Sequence, residues 1–360
     1  MAASLKSVDQ LTMTFLVDNC IEWFTKLPPG FSLEIKTHLQ ENHMRVDKLT
    51  DTPILDFDKF CCGAHGFAAL IETEMEGEPR QYTLFDTGPD NTSLVRNIRA
   101  MQTPVEKITR VVHSHWHSDH TGGLLSFLDF RQNHPSSADA APCIIDVHPD
   151  RPVARGMASG PTYTKVIARL KEDPSFESIE KFGAKVEKNA EGHSVANGTV
   201  WVSGEVPRVT DFESEGLKGH MRWKDGQWVS EPHIMDERYA AIDVVGKGLV
   251  IVSACSHAGI INVVKSAVDK FHRPIYMIIG GLHLAGNDMF PRVQPTAEFL
   301  SRTLRPSPTY VLPMHCSGFQ AKLALEKELG DGCVPAGVGI KFDVTGDRGH
   351  DARLSAASYK

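Results

Sequence analysis

The chain has 360 residues, 41% of them hydrophobic and 23% charged, which excludes a disordered chain, a fibrous repeat and a coiled coil. The balance of 38 basic against 45 acidic residues leaves a net charge of −7, so no global field draws the protein to nucleic acid. The unusual count is histidine, with 17 copies.

In chain order, β-rich runs are predicted at 12–17, 67–72, 82–85, 110–113, 143–147, 199–203, 249–253, 276–279 and 310–313. Between them, helical patterns are predicted at 93–101, 122–130, 261–271 and 296–304. Strands and helices alternate, but short polar turns link many strands, which points to a layered α/β fold rather than a doubly wound parallel sheet. No linker divides the chain. A single domain is expected over 1–345, with insertions near 28–57 and 212–237 and a polar tail at 346–360 that should fray.

No apolar run approaches the roughly 20 residues of a membrane span, and the first ten residues lack the pattern of a secretory leader. The seven cysteines are odd in number and lack framework spacing: Cys61 and Cys62 are adjacent, and the others are scattered. Reduced thiols in a cytoplasmic protein are the expectation.

The dense feature is His113-Ser-His115-Trp-His117-Ser-Asp119-His120-Thr-Gly-Gly123, placed between a β-branched run and an apolar helix. Imidazole nitrogens and a carboxylate at this spacing suit a transition metal: zinc, with manganese or iron also compatible. His115 and His117 can face one ion, and Asp119 with His120 a second. Gly122 and Gly123 would leave the strand-to-helix junction unobstructed.

This run resembles the signature of the metallo-β-lactamase superfamily. The resemblance extends to Leu16–Asn19, Ala64–Gly66, Phe85–Gly88, His148–Asp150, Ser203–Arg208, Ala254–Gly259, Gly280–His283 and His315–Gly318. These look like the branch typified by a dihydropterin ribofuranosyl-aminobenzene phosphate synthase. The resemblance spans roughly residues 11–340 and implies an αββα sandwich of two mixed sheets flanked by helices, with one or two zinc ions at one edge. It implies that His257 and His315 are further ligands and that Asp86 orients a ligand histidine. Cys255 stands near the place of the superfamily's metal-bridging aspartate and is either a ligand or a buried, inert thiol. His148 and His283 also end strands and read as substrate-binding or orienting groups. The usual third histidine of the first site is missing from its usual context. Glu205 and Arg208 occupy that region, where a buried ion pair is the plain expectation.

The leading reaction is hydrolysis by a metal-activated water, with Asp119 orienting the nucleophile. A small cyclic carbonyl substrate, a lactam or lactone, is expected, with Phe67, Trp116, Trp223, Trp228 and Phe290 as an apolar wall. Chemistry on a pterin-type phosphate is the alternative, with Arg151, Arg155 and Arg208 as basic candidates. A di-iron redox protein or a metal-bearing effector binder are the other classes. The expected partner is a small molecule, without nucleic acid or membrane; oligomeric state is not legible.

Overall fold

The computed structural model describes residues 5–137 and 140–359. Its frame is two facing β-sheets with helices on both outer faces. One sheet runs in the order Lys185–Lys188, Ile144–Val147, Arg110–Val112, Gln81–Phe85, Ala68–Glu74, Gln10–Val17, Lys341–Thr345, Phe31–Ser32. The other runs His193–Val195, Val200–Val202, Ala240–Val244, Gly248–Ser253, Ile275–Gly281, Tyr310–Met314, with Ser7–Val8 beside Ala240–Val244. Both mix parallel and antiparallel pairs.

Period-two alternation makes the layers. In Gly248–Ser253, Val250 and Val252 face the inter-sheet core, where they join Met13, Phe15, Phe85 and Met277. Leu249 and Ile251 point the other way, against Ile260, Val264 and Ala267 of the helix Ile260–Phe271. On the opposite outer face, Leu94 and Ile98 of Ser93–Ala100 and Leu124 and Phe127 of Leu124–Gln132 cover Leu16, Leu84 and Val111. This is the expected αββα sandwich.

Three local differences have physical causes. The 212–237 insertion is no irregular loop: His220–Lys224 and Gln227–Ser230 form a hairpin that pairs with Arg155–Ala158 and then Val166–Arg169 in a small third sheet. Its short polar strands lack the long apolar run that marks a core strand. The helical pattern expected at 296–304 begins earlier, at Phe290, with Pro291 in its first turn, where the missing N–H costs nothing. Residues 346–359, expected to fray, are docked. Arg305 and Ser358 exchange two backbone hydrogen bonds at 2.7 Å, and the Tyr359 hydroxyl donates to Asp269 at 2.6 Å. Among the described residues, no helix is long and apolar enough to cross a membrane.

Candidate metal centre

The strand Arg110–Val112 delivers the histidine motif to one edge of the sandwich, and Ser118–Thr121 turns it into a single helical turn. Close backbone approach demands the two glycines that follow. A Cβ on Gly122 would sit 2.1 Å from the Pro89 carbonyl oxygen, and one on Gly123 2.1 Å from that of Thr87. His113, which opens the motif, is a core group: it packs edge-on against buried Trp116, and burial holds its pKa down to about 4.

The remaining motif residues meet side chains from strand ends far away in sequence. His115 Nε2 lies 3.0 Å from His117 Nδ1 and 3.2 Å from His257 Nε2, so three ring nitrogens converge on one point. Burial holds all three imidazoles well below their usual pKa, in the neutral form a ligand requires. A second group adjoins it. Asp119 Oδ2 is 3.5 Å from His120 Nε2, 3.4 Å from His315 Nε2 and 3.8 Å from His65 Nε2. Burial pushes the Asp119 carboxyl up, but the neighbouring imidazoles, His120 first, hold it well below the usual range. Cys255 lies between the two groups. Its Sγ is 3.2 Å from His120 Nε2 and shares 4.8 Å clusters with His115 and His120, with His315 and Cys316, and with His257 and His283. The thiol therefore lies among the candidate ligand atoms, while burial pushes its pKa well up.

A metal-ligating imidazole needs its other nitrogen committed elsewhere, and the backing groups here supply that. His120 Nδ1 donates to Asp86 Oδ2 at 2.8 Å. Asp86 also accepts from the Ser114 amide and hydroxyl, both at 2.7 Å, and that hydroxyl accepts from His115 Nδ1 at 2.8 Å. His315 Nδ1 donates to Asn19 Oδ1 at 3.0 Å, while Asp18 accepts from the His315 amide at 2.8 Å. In each case it is Nε2 that points at the cluster. His257 Nδ1 is the departure: it is buried without a partner. The donor set of imidazoles, one carboxylate and one thiol fits zinc.

Other sequence candidates are placed differently. The missing third histidine of the first group is His257 itself, arriving from the strand Gly248–Ser253. The Glu205–Arg208 ion pair does not form. Arg208 Nη1 reaches only Met235 Sδ at 3.5 Å, and its Nε and Nη2 are buried without partners. His283 is drawn in, with its ring 4.4 Å from that of His257. His148 stays outside the clusters: its Nδ1 accepts from the Asp150 amide, and its carbonyl accepts from Trp116 Nε1. Phe67 and Trp116 are buried beneath the site and form no part of a substrate wall. Arg155 is enclosed by Glu231 and Asp236, and Arg151 binds Glu172.

Sequence reasoning assigned no role to Asp18, Asn19, His65 or Cys316, although each lies in a stretch that carries the resemblance. It also passed over the segment after the hairpin. There Asp236 accepts from the Trp116 amide, between two of the converging histidines, at 2.7 Å. Glu237 accepts from the His257 and Ala258 amides at 2.7 and 2.8 Å, and burial pushes its carboxyl up to about 7.

Residues 65–205 match the family model described as the metallo-beta-lactamase superfamily. The 7,8-dihydropterin-6-methyl-4-(beta-D-ribofuranosyl)-aminobenzene-5'-phosphate synthase of Methanocaldococcus jannaschii is 29% identical over 261 residues, covering 72% of this chain and 82% of its own. An uncharacterized protein of the same organism is 28% identical over 270 residues, 73% of this chain and 88% of its own. A solved structure described as a metal-dependent hydrolase of the beta-lactamase superfamily superposes with a TM-score of 0.63 at 16% identity, over 93% of this chain and 99% of that one. The match over residues 65–205 and these relatives make the chain similar to the metallo-β-lactamase superfamily, and the solved structure shows that it shares that fold.

Proposed function

We propose that the protein is a zinc-dependent hydrolase that cleaves an ester-type bond in a small, phosphate-bearing substrate. The observation that carries the hydrolytic reading is the pair of adjoining ligand groups, His115/His117/His257 and Asp119/His120/His315, at one edge of the sandwich with Cys255 between them. Zinc bound there would supply an acidified water and polarise the bond under attack. The chain's own part is orientation and proton handling. Asp119, with a side chain 26% exposed and its Oδ2 facing His65, His120 and His315, is placed to hold the nucleophile and accept its proton. The Asp86–Ser114 and Asn19–Asp18 pairs fix the imidazoles around it.

The substrate class turns on Arg208. A half-buried guanidinium with two unpartnered nitrogens is costly to leave uncompensated, so an anionic group arriving with the substrate suits it. Burial lowers its pKa somewhat, with Glu237 and Glu205 only partly opposing. A lactam or lactone has less support, because Phe67 and Trp116 lie in the core. The second reading is synthase-type chemistry on a pterin phosphate, favoured by the likeness to the Methanocaldococcus jannaschii synthase over 72% of this chain. A reducing, cytoplasmic setting accords with free thiols at Cys255 and Cys316 beside the site.

The test has two arms. Elemental analysis of protein purified without added metal should find one or two zinc ions per chain. Less than about a tenth of an ion, with no recovery on adding zinc or manganese, refutes the metal-dependent reading. A panel of phosphoesters, lactones and lactams should then show phosphoester turnover that falls in Arg208→Ala; lactone or lactam turnover alone would refute the substrate assignment.

A further inference from the structure

The 212–237 insertion brings a histidine to the metal centre that the signature motif does not contain. His220, on the strand His220–Lys224, is 6% exposed, and its Nε2 lies 3.0 Å from His117 Nε2. His117 thus has both ring nitrogens engaged: Nδ1 toward His115 and His257, Nε2 toward His220. Two neutral imidazoles meeting nitrogen to nitrogen can make a hydrogen bond only if one carries the proton and the other does not. Which one carries it decides which His117 nitrogen is left with a lone pair.

The far side of His220 settles the direction. Its Nδ1 lies 3.0 Å from the Glu231 carbonyl oxygen and 3.4 Å from Glu231 Oε2, and both are acceptors. The proton of neutral His220 therefore resides on Nδ1, and its Nε2 is an acceptor. His117 must then carry its proton on Nε2, which leaves the Nδ1 lone pair facing the converging nitrogens of His115 and His257. Glu231 is itself firmly placed. Its amide donates to the His220 carbonyl at 2.9 Å, and its carboxylate binds Arg155 at 2.8 and 2.9 Å and Arg222 at 3.3 Å.

We propose that His220 is a positioning residue of the metal centre: by accepting the His117 Nε2 proton it selects the His117 tautomer whose Nδ1 binds the ion. The inference rests on the metal-centre reading given above and extends it to the insertion. It makes the hairpin part of the site, since the acceptor sits on its first strand and the carbonyl that orients it belongs to Glu231, the residue directly after its second.

The experiment measures zinc affinity by chelator competition for the wild type, His220→Ala and His220→Gln, with folding followed by circular dichroism. A glutamine side-chain carbonyl can accept from His117 Nε2, and alanine cannot. His220→Ala should bind zinc roughly 10- to 100-fold more weakly, and His220→Gln should recover most of that loss. Unchanged affinity in His220→Ala, or a glutamine variant as weak as the alanine one, overturns the proposal. A readout that needs no variant is proton–nitrogen correlation of the imidazole rings in the wild-type zinc protein. Protonation at His117 Nε2 and His220 Nδ1 is expected, and a proton on His117 Nδ1 overturns the proposal even if His220→Ala fails to fold. If the wild type takes up no zinc, the metal-centre reading itself fails, and this inference with it.

Discussion

Asp86→Asn is the sharpest perturbation of the centre, because it preserves shape while turning one acceptor oxygen into a donor and removing the charge. Asp86 is fully buried at the end of Gln81–Phe85, with φ near +61°, and its carboxylate accepts three hydrogen bonds, from the Ser114 amide, the Ser114 hydroxyl and His120 Nδ1. Asparagine can keep the first through its oxygen. The second survives in altered form, because the Ser114 hydroxyl can rotate to accept from the new amide. The third cannot survive as drawn, since the amide nitrogen and His120 Nδ1–H would both be donors. His120 must then shift its proton to Nε2, the nitrogen that faces Cys255 and Asp119, or lose the bond. The cost is one charge-assisted hydrogen bond, about 1.5–3 kcal/mol, which corresponds to a loss of roughly 10- to 150-fold in affinity for the second ion. Zinc titration against a chromophoric chelator measures it, with the His115/His117/His257 group as an internal control that should change far less. A variant that binds both ions within about twofold of wild type would refute the tautomer argument.

Asp119→Asn should lower turnover at least a hundredfold while zinc content falls much less, and a fully active variant would remove Asp119 from the proton-handling role. Glu213 accepts from the Ile261 and Asn262 amides at the start of the helix Ile260–Phe271, and burial pushes its carboxyl from 4.5 up to about 7. A raised native pKa means that the fold favours the protonated form, so this contribution to stability is complete below about pH 4.5 and is lost as pH rises through about 7. Denaturant melts across that window should show the slope in wild type and its loss in Glu213→Gln; identical slopes would count against the assignment. Gly123→Ala places a Cβ 2.1 Å from the Thr87 carbonyl oxygen and should cost about 1–3 kcal/mol or more by denaturant unfolding, whereas an unchanged midpoint would show that the junction can relax.

The sequence made the frame and much of the ligand set legible, because both are written in local patterns. Alternation in Gly248–Ser253 and the β-branched run before His113 mark core strands whose ends carry chemistry. The short strands His220–Lys224 and Gln227–Ser230, five and four residues long, place Met221 and Trp223 on one face against polar neighbours, too short an alternation to separate from a loop. His257 could be suspected as a ligand but not assigned to a group, since its partners His115 and His117 lie 142 and 140 residues away. Arg208 and Glu205 were plausible partners by spacing alone. Three positions apart on irregular chain, however, their side chains diverge, and Arg208 instead lies against Met235.

Adjacent Asp236 and Glu237 reach two different loops, as neighbouring side chains on extended backbone do. Asp236 binds the Trp116 amide, inside the His115–His117 loop, and Glu237 binds the His257 and Ala258 amides. Arg238 then ties the chain down, its amide donating to the Ser114 carbonyl at 2.8 Å and its guanidinium to the His113 carbonyl and Asp146. One tripeptide therefore sets the separation of the two loops whose nitrogens stand 3.2 Å apart at His115 and His257. Burying two acids side by side is unfavourable unless their bonds are met. Asp236 is compensated by Arg155 at 2.5 Å, while for Glu237 burial outweighs the Ala258 and His257 amides and pushes the carboxyl up to about 7. The motif thus names candidate ligands, and the chain leaving the insertion determines where they meet.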